Sequence, residues 1–93
     1  MIVGVRSWEL HLPACQSLKD KRRIVKSLKD RLHQKFGVSA AEVDHQDLWQ
    51  RALIAAAVVS GDARHAEAVL TACDRLVQAE PLATIIASET TWQ

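Results

Sequence analysis

The residue types best suited to chemistry in this sequence are cations, and most of them fall in residues 17–36. That segment holds eight lysines and arginines against two aspartates, so its net charge is +6, whereas the whole chain of 93 residues carries +1. Phosphate oxygens are strong, regularly spaced acceptors, and a row of lysines and arginines on one side of a helix meets several of them at once. The segment therefore predicts a surface that binds a polyanion.

Helical spacing separates some of these cations from the rest of the segment. At about 100° per residue, a stripe of cations lies beside the apolar face of the helix and points to solvent. The candidate nucleic-acid-binding residues are Lys19, Arg22, Arg23, Lys26 and Lys29. The alternative is that these charges only keep a helix face solvated. Few acids lie four residues away from them, so the charges repel one another, and this favours a use for the excess.

The segment between residues 41 and 50 contains a second candidate site. Four of its side chains could ligate a metal ion through oxygen or imidazole atoms, namely Glu42, Asp44, His45 and Asp47. Their spacing matches no calcium or zinc motif, and such residues in a turn usually form a solvated loop with local caps, so no metal is predicted. Trp49 either covers the core or contacts a partner or a base, and we expect it to cover the core.

Catalytic groups are harder to find. Cys15 precedes a helix start crowded with cations, which would lower the pKa of its thiol and raise its reactivity. A buried, inert thiol is the simpler interpretation for Cys15 and for Cys73, and we prefer it. The chain has no glycine-rich phosphate loop, no GxSxG and no HExxH sequence. These observations predict a protein that is not an enzyme, with no catalytic residue and no cofactor.

Six elements position the candidate residues. Strands are predicted where β-branched and apolar residues cluster, and helices where apolar residues recur every three or four positions. The strands span residues 2–12, 38–44, 51–60 and 82–92, and the helices run from the N-cap Ser17 to Phe36 and from 62 to 80. We predict one domain over residues 1–93, an α+β, ferredoxin-like βαββαβ sandwich in which two helices cover one face of a four-stranded antiparallel sheet.

Two strands raise the question of which side chains are covered. In the first strand, Val3 and Val5 have one parity while Trp8 and Leu10 have the other, which requires either a bulge near Arg6 or a long strand covered on both faces. The third strand is apolar at nearly every position and is expected to be buried on both faces. A homodimer through the open sheet face would provide the second cover. Alanines that tolerate exposure to water are the alternative.

The composition excludes several classes of protein. Hydrophobic residues make up 48% of the chain and charged residues 25%, which is typical of a folded globular protein and not of a disordered one. No apolar run reaches the ~18 residues of a membrane span, and the start of the chain becomes polar too early for a signal peptide. Two cysteines are too few for a disulfide framework. We expect a cytoplasmic protein with no membrane partner.

Four stretches of the sequence resemble the YlxP-like family of small uncharacterised bacterial proteins. They are SLKDKRRIVKSLKDRL at 17–32, AEVDHQDLWQRA at 41–52, IVGV followed by ELHLP near the start, and SGDARH at 60–65. The resemblance covers essentially the whole chain. It implies a ferredoxin-like fold, a bacterial cytoplasmic protein and no established enzymatic activity. Genes of this family often neighbour those of translation initiation and ribosome maturation factors, which implies a role around RNA or the ribosome.

One position departs from the family pattern. Residue 6 is commonly apolar in such sequences and here is Arg6, so either the start of the strand is exposed or this arginine has an acidic partner.

Charge and resemblance together predict a small protein that binds RNA or a ribosomal particle through its first helix. The alternative is a protein-interaction module whose basic helix docks on an acidic protein. RNA-recognition motifs stack bases on aromatic residues of their first and third strands, but here the third strand is aliphatic and the chain has no tyrosine. Binding through the RNA backbone and shape is therefore expected.

Overall fold

The order and pairing of the elements confirm the predicted fold. The computed structural model describes residues 1–93. Its elements are β1 (Ile2–His11), α1 (Leu18–Phe36), β2 (Ser39–Asp44), β3 (Arg51–Ser60), α2 (Ala63–Gln78) and β4 (Thr84–Trp92). The four strands form one antiparallel sheet in the order β2-β3-β1-β4. Both helices pack on the same face, which makes a ferredoxin-like sandwich.

Local signals explain both ends of α1. The hydroxyl of Ser17 accepts a hydrogen bond from the backbone N–H of Asp20, and the carboxylate of Asp20 accepts one from the N–H of Gln16. These two bonds satisfy donors that a helix start leaves free. At the other end Gly37 adopts a φ of 65° and donates its N–H to the carbonyl of His33, as a glycine following a helix does.

The side chains of β1 alternate without interruption. Gly4, Trp8 and Leu10 are buried beneath the helices, whereas Val3 and Val5 lie on the opposite, open face of the sheet and are half-buried. Of the two predicted alternatives for this strand, the bulge near residues 6 and 7 is therefore absent. A single long strand presents one parity to the helices and the other to the open face.

The third strand corrects a prediction. Even-numbered residues of β3 from Ala52 to Val58 are buried under the helices, but the odd-numbered residues remain partly accessible and Val59 is 67% exposed. The expectation that β3 is buried on both faces is therefore wrong for the single chain. No element covers the second face, and the strand tolerates this because Ala55 and Ala57 expose little apolar surface there.

Both edge strands contain an irregularity. Pairing between β1 and β4 shifts between Glu9 and Leu10, which leaves Ile86 without an opposite residue. Pairing between β2 and β3 shifts between Glu42 and Asp44, which leaves Val43 unmatched. Each extra residue is a β-bulge, and it changes the parity of side chains along its strand. The bulge in β4 lets Ile85 pack against the core while Thr90, farther along, also faces the helix side.

The core lies between the helices and the sheet, and Trp8, with no exposed surface, is its largest side chain. At Gly4 the sheet has no room for a side chain, because a Cβ atom there would lie 2.5 Å from the ring of Trp92 and 3.0 Å from Leu70. Neither helix combines the length and apolar composition needed to cross a bilayer.

Candidate nucleic-acid interface

The basic stripe, defined as Lys19, Arg22, Arg23, Lys26 and Lys29, lies on the outer surface of α1. Four of its members are exposed and Lys29 is half-buried. Arg31 on the same helix binds Glu80 beyond the end of α2, with Nη2 to Oε1 at 2.8 Å. Arg22 lies about 180° around the helix from Arg31 at about 100° per residue, and it therefore points away from α2, toward the side of edge strand β2.

One member of the stripe has a carboxylate partner. Lys26 Nζ lies 2.7 Å from Asp30 Oδ2, one helical turn away, and both side chains are largely exposed. The hydrogen bond from Lys26 holds the pKa of Asp30 below its usual value, and the charges of Lys29 and His33 act in the same direction. The other four members make no ion pair. Most of the stripe is thus left free for an external anion.

Lys21 is the exception among the cations of α1, because it is buried to 1% exposure. Its Nζ lies 2.8 Å from Glu42 Oε2, donates to the carbonyl of Leu48 at 2.6 Å and donates to the carbonyl of His45. The geometry at Glu42 Oε2 is not that of a hydrogen bond, so the contact between Glu42 and Lys21 is a salt bridge without a hydrogen bond. Two ammonium protons have carbonyl acceptors and the carboxylate of Glu42 balances the charge, which is what makes a buried lysine tolerable.

This buried ammonium fixes the loop between β2 and β3 against the first turns of α1. Gln50 Nε2 adds donations to the carbonyls of Pro13 and Cys15, so the loop also holds the segment that leads into the helix. His45 adopts a φ of 65°, in the left-handed region that side chains other than glycine seldom occupy. The loop therefore lies beside the first turns of α1, the part of the helix where the basic stripe begins.

Trp49 overturns its predicted role in the core. Its side chain is 52% exposed, and its neighbour Leu48 is 48% exposed. The physical reason is the backbone of the loop: the carbonyls of His45 and Leu48 point inward to Lys21, so the nearby apolar side chains point outward. The sequence could not reveal this, because the loop geometry depends on the burial of Lys21, a contact between residues far apart in the chain.

The four possible metal ligands of this hairpin do not converge. Glu42 faces Lys21 beneath α1, whereas His45 Nε2 lies 2.8 Å from Glu9 Oε1 on the other face of the sheet. The carboxylate of Asp44 accepts a hydrogen bond from the backbone N–H of His45. No group of three or more metal-ligating side chains forms anywhere in the chain.

A second ionic group at the open face was missed by sequence reasoning. Glu9 Oε1 accepts a hydrogen bond from Arg51 Nη2 as well as contacting His45. Arg51 Nε is buried with no acceptor of its own. Glu9 on β1 lies close to Arg51 at the start of β3. This contact could not be predicted, because the sequence alone does not give the register between the two strands.

Arg6 has an acidic partner, which settles the alternatives for this residue. Its Nε and Nη2 both donate to Asp74 Oδ1 at 3.1 Å, and further donations reach Thr90 and Ser88. The indole N–H of Trp8 donates to the same oxygen at 2.9 Å. Asp74 therefore joins α2 to the centre of the sheet, and Arg6 lies on the covered face.

The cysteine sites have the chemistry of inert thiols. Burial raises the pKa of Cys15, the nearby charge of Asp20 acts in the same direction, and Lys21 only partly opposes them. The preferred interpretation of Cys15 as a buried thiol is therefore confirmed, and the alternative of activation by nearby cations fails because those cations are exposed to water or, like Lys21, already paired. Burial also raises the pKa of the Cys73 thiol to about 11. Both thiols are free and buried.

Comparisons with known proteins agree with this architecture. A family model described as "Protein of unknown function (DUF503)" matches residues 3–90. The chain is 37% identical over 59 residues to the uncharacterized protein YlxP of Bacillus subtilis (strain 168), and the aligned part covers 63% of this chain and 64% of YlxP. Less than two thirds of that relative is therefore matched.

Solved structures extend the likeness to the fold. The structural genomics protein YJCS aligns with a TM-score of 0.60 at 9% identity over 96% of each chain. A de novo designed protein with ferredoxin fold aligns with a TM-score of 0.54 at 13% identity, over 100% of this chain and 85% of the design. A putative chlorite dismutase aligns with a TM-score of 0.56 at 11% identity, over 98% of this chain and 43% of that one. At these identities the likeness shows the fold alone.

The family match spans nearly all of the residues that build the sheet, both helices and the basic stripe. On that evidence the chain belongs to the DUF503 family, alongside YlxP.

Proposed function

We propose that this protein binds structured RNA, free or within a ribosomal particle, through the basic stripe of α1. The observation that carries the proposal is the lack of internal partners: four of five stripe cations make no ion pair. A helix face that only needed solubility would gain stability from acids at i+4, and here Asp30 is the only such acid paired with the stripe. Unpaired cations in one row attract a polyanion.

The length of the stripe suits a nucleic-acid backbone. From Lys19 to Lys29 the helix advances about 15 Å at 1.5 Å per residue. A strand of B-form DNA presents a phosphate every ~3.4 Å along the helix axis, and an RNA duplex has a shorter rise, so the stripe spans at least about four phosphates. Such contacts position the protein on the backbone without reading the sequence, which suits a site built from lysine and arginine on an exposed helix.

Base stacking on the sheet has no support in this chain. Trp8, the single aromatic residue of β1 and β3, points toward the helices and is buried. The open face of those strands is made of aliphatic and small side chains. Proteins that stack RNA bases on this fold use aromatic residues at that face, so the RNA would be recognised by its backbone and shape.

Trp49 adds one position where a base could be recognised. Its half-exposed indole lies in the loop that Lys21 holds against the first turns of α1, where the stripe begins. Asp44 and Asp47 flank this loop and repel phosphate, while a neutral base stacked on the indole experiences less repulsion. Stacking of one base on an aromatic side chain contributes about 1–3 kcal/mol.

The first test is a salt titration of RNA binding by the native protein, using a short RNA hairpin as the probe. Contact with about four phosphates predicts a slope of log affinity against log salt near −3 to −4. Reversing two charges, Arg22→Glu with Lys26→Glu, is expected to weaken binding at least tenfold and to reduce the slope by about two.

The matched control reverses two exposed arginines on the other helix, Arg64→Glu with Arg75→Glu, which changes the net charge equally. This control should bind within about threefold of the native protein if the site is on α1. Equal losses in both variants would show a general charge effect and refute the site. Capture of an acidic protein that survives nuclease treatment, with no RNA binding, would favour the protein-docking alternative instead.

A second test addresses Trp49. Trp49→Ala should weaken binding of a hairpin with an unpaired loop by about fivefold or more, whereas a blunt duplex of equal length should bind unchanged. Trp49→Phe should retain most of the affinity, because a smaller ring still stacks. An equal loss on hairpin and duplex would mean that the loop supports the helix and does not contact a base.

A further inference from the structure

The open face of the sheet is covered by no other element of the chain. Alternation along the strands places one parity of each strand there. On the two central strands its uncharged part is formed by Val3, Val5, Ser7, Leu53, Ala55, Ala57 and Val59, while Glu9, His11 and Arg51 lie at one end. Soluble monomers seldom expose a contiguous apolar surface of this kind.

The charges at one end of this face are neutralised within the chain. Glu9 is held between Arg51 and His45, so no bare carboxylate remains among the central strands. Glu89 of β4 is exposed and lies opposite Ser7 in the pairing, at the side of the face. The middle of the face can therefore be removed from water without stranding an unpaired charge.

The area of the face is suitable for pairing with a surface of equal size. The strands β1 and β3 have ten residues each, β4 has nine and β2 has six. At ~3.3 Å per residue and ~4.8 Å between strands, the face covers about 550 Å² measured in the plane. Side chains make the face uneven, so its accessible area is larger and approaches the ~800 Å² that each partner buries in a standard interface.

We propose that two copies of this chain pack their open sheet faces together about a two-fold axis. A second sheet is the occupant that fits best, because Ser7, Ala55 and Ala57 make the centre flat and allow close approach of another sheet at about 10 Å. Each copy supplies the same patch, so the pairing closes at two. The basic stripes lie on the helix side, and both remain exposed in the pair.

Sedimentation velocity of the native protein over about 1–200 µM tests the proposal. The expected result is a species of twice the 10.3 kDa chain mass that dissociates on dilution. Ala57→Arg places a charge at the centre of the face and should shift dissociation to at least tenfold higher concentration. The matched control, Ala68→Arg on the exposed surface of α2, should leave the dimer intact.

Val59→Lys provides a second variant in case Ala57→Arg fails to fold, because Val59 is already accessible to water in the single chain. It too should weaken the dimer. A mass of one chain at every concentration would overturn the proposal, as would a dimer insensitive to both substitutions. These outcomes are independent of RNA binding, since the stripe variants on α1 should sediment as the native protein does.

Discussion

Lys21 and Arg22 are neighbours on α1 and carry the same charge, yet they belong to different regions of the molecule. Lys21 is sealed beneath the helix with Glu42 and two loop carbonyls, whereas the guanidinium of Arg22 is exposed and has no ion pair. A rotation of about 100° around the helix separates them. Net charge counted along a sequence therefore mixes cations that hold the fold with cations that remain available.

The largest effect expected from this comparison follows removal of the buried cation. Lys21→Ala leaves Glu42 without its partner under α1 and deprives two carbonyls of a donor, so the free energy of unfolding should fall by about 3–5 kcal/mol. Urea unfolding followed by circular dichroism measures it. Lys19→Ala, the exposed counterpart, should change stability by less than about 0.5 kcal/mol.

A double substitution separates charge from packing at this site. Lys21→Met with Glu42→Leu removes both charges together and should recover the part of the loss that comes from the unpaired carboxylate, about half of it. The carbonyls of His45 and Leu48 still lack a donor in this variant. If Lys21→Ala costs no more than Lys19→Ala, the distinction between the two regions is wrong.

A second ionic group, half-buried between α2 and the sheet, should respond less strongly. Asp74→Ala removes the shared acceptor of Arg6 and Trp8, and each polar group left without a partner costs about 1–3 kcal/mol. Because Arg6 and Asp74 are partly accessible to water, which replaces some of the lost bonding, a total loss of about 2–4 kcal/mol is expected. The same urea titration measures it. Glu67→Ala, exposed on the same helix, is the matched control and should be close to neutral. A loss below about 1 kcal/mol for Asp74→Ala would mean that water replaces the carboxylate.

Alkaline pH should destabilise the fold by a smaller amount through Cys73. Burial raises the pKa of this thiol to about 11, so above pH 9 the unfolded chain releases the proton while the folded chain retains it. Stability therefore falls as pH rises through this range, by about 1 kcal/mol between pH 8 and pH 10. The check is the difference in pH slope between the native protein and Cys73→Ala. Parallel slopes would contradict the assignment.

The smallest expected effect is a change in RNA affinity, and it concerns the exposed cations of α1. Asp30→Asn removes the carboxylate that neutralises Lys26, so RNA affinity should increase about two- to threefold with little change in stability. Fluorescence anisotropy with the hairpin probe measures the gain. Glu67→Gln makes the same charge change on α2 and should leave affinity unaltered. An equal gain in both variants would show that total charge, and not the stripe, controls binding.

Much of the fold follows from local patterns in the sequence. Ser17 and Gly37 mark the ends of α1, and the apolar residues between them recur at helical spacing. The run from Arg51 to Ser60 is predicted with its observed bounds. These signals depend on neighbours within a few residues, so they can be read without knowing how the chain is packed.

The interactions that distinguish the two regions join residues far apart in the sequence. Arg6 and Asp74 are 68 positions apart, and the pairing of Lys21 with Glu42 depends on how β2 runs beneath α1. The exposure of Trp49 depends in turn on the loop that Lys21 holds. Helical periodicity was enough to place the stripe. It could not show which cations of α1 already form ion pairs within the chain.

The bulges in the two edge strands bear on how this protein behaves at high concentration. Fibrils grow when the unpaired edge of one sheet templates a strand from another molecule. Val43 interrupts the edge at β2 and Ile86 interrupts it at β4, so neither edge offers a long, straight template. Even a crowded solution should therefore resist ordered aggregation along the sheet.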